Sequence, residues 1–131
     1  MSIRVAHLCK DFSKRSETFI YDYVTELERQ GGDNHVVANE RVNPDERPFE
    51  NVTVVPWPAL WNPRRMGHRL LEELGLDGAL DSSWRELWPG AEEAIERVAP
   101  DVLHAHFGRP GVKAVPIARQ LDLPLVVTFY G

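Results

Sequence analysis

The chain has 131 residues, 15 of them Lys or Arg and 20 Asp or Glu, for a formal net charge of −5 at pH 7. That length suits one domain with a real core, and the acidic balance argues against a general nucleic-acid binder. The lone cysteine, Cys9, excludes an intramolecular disulfide framework and fits a reducing, cytoplasmic setting. No apolar run approaches the roughly 20 residues of a membrane-spanning helix, and the opening MSIRVAHLCK lacks the layout of a signal peptide.

Residues 3–9, IRVAHLC, form a short apolar run that reads as the first strand. A polar loop over residues 10–18 follows, with Lys10, Lys14 and Arg15 as a basic cluster. Its plain reading is solubilising surface; its functional reading is attraction for phosphate or an anionic membrane surface. Phe19, Ile20, Tyr23, Val24 and Leu27 recur at helical spacing, and Gly31 and Gly32 end that helix. Ser16 can cap it, which leaves Glu17 and Thr18 in a first turn where the helix dipole favours a carboxylate. Residues 35–38 and 52–55 read as the second and third strands, joined by a polar loop.

Pro56-Trp57-Pro58 breaks the pattern. Asn62-Pro63 then starts a helix with the stripe Met66, Leu70, Leu71 and Leu74, ending at Gly75, and Arg64, Arg65 and Arg69 make a second basic cluster. Ser83-Trp84-Arg85-Glu86 matches a capping box, and the helix it opens is lined by Trp84, Leu87, Trp88, Ala91, Ile95 and Val98. Pro89-Gly90 inside it predicts a kink or a break. Residues 102–107 read as a buried strand, the Gly108-Arg109-Pro110-Gly111 turn leads into a helix, and residues 125–129 form a last strand. Both of these strands are apolar on two faces, as for strands covered by helices on each side. The alternation predicts a Rossmann-like, three-layer α/β/α domain around a mainly parallel sheet of about five strands.

In such sheets ligands bind outside the carboxyl ends of the strands. Three loops converge there: residues 10–18, residues 107–111 and whatever follows 129. His104 and His106 share one strand face, a spacing that permits joint metal ligation, but no cysteine or carboxylate in zinc spacing accompanies them. One is expected to be a satisfied core residue and the other to face a polar ligand, with His106, nearer the strand end, as the better functional candidate. His7 reads as structural. The turn at Gly108 lacks both the G-x-G-x-x-G and the P-loop spacing, and is either a simple turn or a helix start able to hold a phosphate.

The segments FSKRSETFIYDYVTELERQG, DVLHAHFG and LPLVVTFYG occur in that order, and the set resembles the N-terminal domain of family 4 glycosyltransferases of the polysaccharide-assembly type. The resemblance implies a retaining GT-B enzyme that needs no metal or other cofactor. Its substrates would be a nucleotide-sugar donor and a glycan or lipid-linked acceptor. Lys14, Arg15, Ser16, Glu17 and Thr18 would border the acceptor. His104, His106, Gly108, Tyr130 and Gly131 would lie on the donor side, with His106 and Tyr130 as catalytic candidates. Two departures stand out: Ser16-Glu17 replaces a common Gly-Gly pair, and Tyr130 replaces the histidine of T-F-H-G.

On this reading residues 1–131 are an incomplete GT-B N-terminal domain without its donor-binding partner domain. The expected setting is cytoplasmic, with peripheral contact at the inner membrane face and a homodimer through the apolar sheet edge. The alternative is a non-catalytic Rossmann-like module that binds a sugar, a phosphate or a protein partner. A nucleotide-dependent epimerase or dehydrogenase is disfavoured by the missing glycine fingerprint. Because transition-state stabilisation needs both walls of the cleft, the purified chain alone is expected to transfer no sugar; turnover of any nucleotide-sugar would overturn this.

Overall fold

The computed structural model describes residues 2–57, 70, 73–75 and 88–130. In chain order the elements are β1 (Arg4–Phe12), a short 3-10 helix (Arg15–Glu17), α1 (Thr18–Arg29), β2 (Asp33–Arg41) and β3 (Val52–Val54). Then come α2 (Ala91–Val98), β4 (Val102–His106), α3 (Gly108–Leu121) and β5 (Leu125–Thr128). The five strands are all parallel, in the order β3-β2-β1-β4-β5. This bears out the α/β, Rossmann-like expectation. The order reverses between β1 and β4, so the topological switch point, where open sheets of this kind bind ligands, lies at their carboxyl ends.

Strand side chains alternate between faces, and the two faces carry different cores. On one, Ala6, Leu8, Val37, Leu103 and Ala105 meet Trp88, α2 through Ala91, Ala94, Ile95 and Val98, and α3 through Ala114, Ile117 and Ala118. On the other, Cys9, Val36 and Ala38 meet Ile20 and Val24 of α1. The histidines of β1 and β4 belong to this second face. It is the thinner one: Val126 of β5, on the same face as His104, is 50% exposed. The expectation that residues 125–129 are covered on both sides is therefore corrected. Helix α1 lies over β1 and β2, while β5 is an edge strand.

Three further local readings change. β1 runs on through Lys10 and Asp11 to Phe12, because its ladder with a longer β2 continues as Asp11↔Glu40 and Phe12↔Arg41. Phe12 is fully buried, with the rings of Phe49 and Tyr21 at 5.8 and 5.9 Å. Ser16 is exposed and makes no capping bond; the 3-10 helix before α1, closed by Glu17 N–H to the Lys14 carbonyl at 3.0 Å, takes over that role. Pro89-Gly90 is a break, since α2 starts directly after Gly90 at φ +89°. Gly75 sits in a turn at φ +71°, as expected of a helix end. Asn62-Pro63, the arginine cluster at 64, 65 and 69, and the capping box at 83–86 lie outside the described residues. Among the described residues no helix is long and apolar enough to cross a membrane.

The end of α1 matters for the site. Gly31 takes the left-handed conformation (φ +89°) and donates to the Glu28 carbonyl at 3.1 Å, while Gly32 N–H donates to the Leu27 carbonyl at 2.9 Å. This Schellman pairing satisfies two orphan carbonyls and turns the chain into β2. A Cβ added at Gly32 would lie 2.9 Å from the Leu27 carbonyl oxygen and 3.0 Å from Asn34 Nδ2. A backbone carbonyl cannot step aside as a flexible side chain can, so Gly32→Ala is expected to cost about 2 kcal/mol. An unchanged Tm would contradict this account of the turn.

Candidate functional site at the carboxyl edge

Parallel pairing sets His7 of β1 opposite His104 of β4, and His106 opposite Thr128 of β5. Period-two alternation then brings His7, His104 and His106 onto the α1 face together. The His104 and His106 rings stack at 4.3 Å, and the His7 ring lies 5.3 Å from His106 and 5.4 Å from His104. Tyr23 of α1 covers the group edge-on, 5.6 Å from His104 and 6.0 Å from each of the other two.

A continuous set of hydrogen bonds joins these rings. His7 Nδ1 lies 3.0 Å from His106 Nε2, and His7 Nε2 lies 2.9 Å from Asn34 Oδ1. Asn34 Nδ2 donates to Glu28 Oε2 at 3.0 Å. At the other end His106 Nδ1 lies 2.8 Å from the Tyr130 hydroxyl, and His104 Nε2 lies 2.7 Å from Thr128 Oγ1. Buried polar groups need such partners, since an unsatisfied one costs on the order of 1–3 kcal/mol. His7 and His106 are both fully buried.

Burial fixes the protonation state. Desolvation holds His7 down to about 4, against partial support from its Asn34 hydrogen bond, and holds His106 down to about 3, with the neighbouring His104 and His7 adding to the effect. His104 is also lowered by desolvation. The Tyr130 hydroxyl is raised by burial and so keeps its proton. Cys9 is buried, and desolvation pushes its thiol far up, which leaves it an inert core residue.

Tyr130 packs with Phe19 and Phe107 in a three-ring cluster, those two rings being 6.0 Å apart edge-to-face. Phe19, at the start of α1, lies 4.4 Å away and Phe107 5.0 Å, so the start of α1 and the second loop meet at the third loop. Phe107 adopts φ +75°, a region costly for a bulky side chain, and is held there by its N–H to the Thr128 carbonyl at 2.8 Å. That turn aims α3 from the strand end. A Cβ on Gly108 would meet Phe129 at 3.1 Å, and Arg109 lies over the Trp57 ring at 5.7 Å.

The first loop proves to be charge-balanced. Lys14 lies 4.0 Å from both Asp11 and Glu17, and Arg15 pairs with Glu46 at 2.6 Å. Lys14, Arg15 and Ser16 are exposed, while Glu17 and Thr18 are half-buried. Gly131 lies outside the described residues. His7, given a structural reading from sequence, is the link between His106 and Asn34, and Asn34, Glu28, Thr128 and Phe19 also went unnoticed as site residues. No local pattern marks them, because their proximity comes from strand register.

The three imidazoles could also hold a metal ion, with one ring nitrogen from each within 4.8 Å of the others. Both nitrogens of His7 and of His106 are already engaged, so an ion would have to replace the His7–His106 bond.

With the geometry described, the sequence model for Glycosyltransferase Family 4 matches residues 16–131. The chain belongs to glycosyltransferase family 4. No curated protein matches its sequence. Among solved structures this family 4 chain is similar to MurG of Acinetobacter baumannii, with a TM-score of 0.57 and 10% identity over 95% of this chain and 34% of that one. It thus spans about a third of MurG's length, and the likeness is one of fold.

The buried rings make stability depend on pH. His7 and His106 sit at about 4 and 3 when folded but titrate near 6.5 when unfolded, so the unfolded chain binds more protons in that window. Stability is therefore highest above pH 6.5 and falls as pH drops toward the folded values, by an amount on the order of several kcal/mol. Tm followed by circular dichroism from pH 7.5 to 4 is expected to decline steeply below about 6. A His106→Phe variant that folds should show a shallower decline, and equal slopes would refute the assignment.

Proposed function

We propose that this chain supplies one wall of the cleft of a retaining sugar transferase, with the β1–β4 switch point as its sugar-facing edge. The observation carrying this reading is the neutral polar cluster that ends at Tyr130, between Phe19 and Phe107, at the carboxyl edge of a family 4 fold. Aromatic walls around a hydroxyl suit a sugar ring, which has apolar faces and polar edges.

On this proposal the nucleotide-sugar is a substrate whose nucleotide is held by another domain, and neither a metal nor another cofactor takes part. The first loop, with Glu17 and Thr18, borders the acceptor. Lys14 and Arg15 are offset by Asp11, Glu17 and Glu46, which favours contact with hydroxyl groups over phosphates. Tyr130 and His106 act by positioning the ligand: His106 is too buried to reach a reacting atom, so of the two Tyr130 is the candidate for direct contact. The protein works in the cytoplasm, against the inner membrane face when its acceptor is lipid-linked.

Titration of the chain with a glycan acceptor and with a nucleotide-sugar, followed by calorimetry and NMR, tests this. Binding of the glycan is expected to perturb Tyr130 and Phe19, and Tyr130→Phe should weaken it about 5- to 10-fold, the worth of one hydrogen bond. Glycan binding unaffected by both Tyr130→Phe and Glu17→Ala would place the sugar elsewhere and sink the proposal.

A further inference from the structure

The hydrogen-bond chain through the site has only one consistent direction, and it is set at its far end. Glu28, exposed at the end of α1, offers carboxylate oxygens, which only accept. Its Oε2 takes both the backbone N–H of Asn34 at 3.2 Å and the Asn34 Nδ2 at 3.0 Å. Asn34 Oδ1 must then face His7 as an acceptor, so His7 Nε2 carries the proton and its Nδ1 is bare. His106 Nε2 therefore donates to His7 Nδ1, which leaves His106 Nδ1 bare, and the Tyr130 hydroxyl must donate to it. Each step follows because a neutral imidazole has one donor and one acceptor nitrogen.

We infer that Glu28 orients a one-way relay, Tyr130 to His106 to His7 to Asn34 to Glu28, whose result is that Tyr130 meets a ligand solely as a hydrogen-bond acceptor. The hydroxyl proton of Tyr130 is committed to His106, so only lone pairs remain for anything that docks against that hydroxyl. The edge thus selects groups that bring their own donor, such as a sugar hydroxyl, and rejects bare phosphate oxygens, which would set acceptor against acceptor. Glu28 and Asn34 are positioning residues here, acting through two imidazoles. The identity of the ligand as a sugar rests on the function proposed above; the direction of the relay does not.

Heteronuclear NMR of the imidazole nitrogens in the chain at pH 7.5 tests the direction. His7 and His106 are both expected as the Nε2–H tautomer, and an Nδ1–H on either ring would overturn the inference. The variant E28K replaces an acceptor with a donor. It should flip the Asn34 amide, convert both rings to Nδ1–H and free the Tyr130 proton to face the ligand. E28Q retains an acceptor oxygen and should keep the original direction, which separates polarity from loss of charge. E28K that folds with unchanged tautomers would refute control by Glu28, and if E28K does not fold, the parent and E28Q spectra still decide.

Recognition is read separately, from Tyr130 shifts on adding glucose or sulfate, an anion with acceptor oxygens only, at high concentration. Glucose is expected to move them and sulfate not. The reverse result would overturn acceptor-only recognition, whereas correct tautomers with no glucose response would refute the sugar reading and leave the relay standing.

Discussion

Two imidazoles lie fully buried, side by side, on the thinner face of a parallel sheet, and neither can be left without partners. That requirement ties together five separate segments: the end of α1 through Glu28, the start of β2 through Asn34, the middle of β1 through His7, the end of β4 through His106, and the residue beyond β5 through Tyr130. Slipping any of these strands by one residue would turn its side chain to the opposite face. The network thus fixes register on a face that has less apolar packing than the other, where Ile95, Leu103, Leu8 and their neighbours fill the core.

The same burial explains the electrostatic character of the edge. Desolvation keeps the histidines neutral and the Tyr130 hydroxyl protonated, so the centre of the site carries no charge at neutral pH. Around it, Lys14 and Arg15 are offset by Asp11, Glu17 and Glu46. A charge-balanced rim around a neutral, aromatic-walled centre is suited to a ligand recognised through its hydroxyl groups.

Much of the fold was legible because it is written in local pattern. The apolar runs gave every strand, the helical spacing of Phe19, Ile20, Tyr23, Val24 and Leu27 gave α1, and the paired glycines gave its Schellman end. Local pattern misled where long-range pairing took over. β1 continues through Lys10 and Asp11 because β2 extends beside it, and Ser16 forms no cap because a 3-10 helix intervenes. The apolar sequence of β5 suggested cover on both faces, yet nothing local encodes which strand lies outermost.

The sequence by itself determined the layered α/β class and the family, since periodicity, glycine turns and short motifs are properties of neighbouring residues. It also singled out His104 and His106, whose polar side chains interrupt an apolar strand, and Tyr130, which the family resemblance marked. Only the tertiary structure decided that His7 bridges His106 to Asn34, that Glu28 closes the chain of bonds, and that Phe19 meets Phe107 across Tyr130. The hydrogen bonds among them join residues up to 99 positions apart. They exist because parallel strands from distant parts of the chain are aligned by their ladders, and a ladder's register is settled by the whole sheet rather than by any one strand.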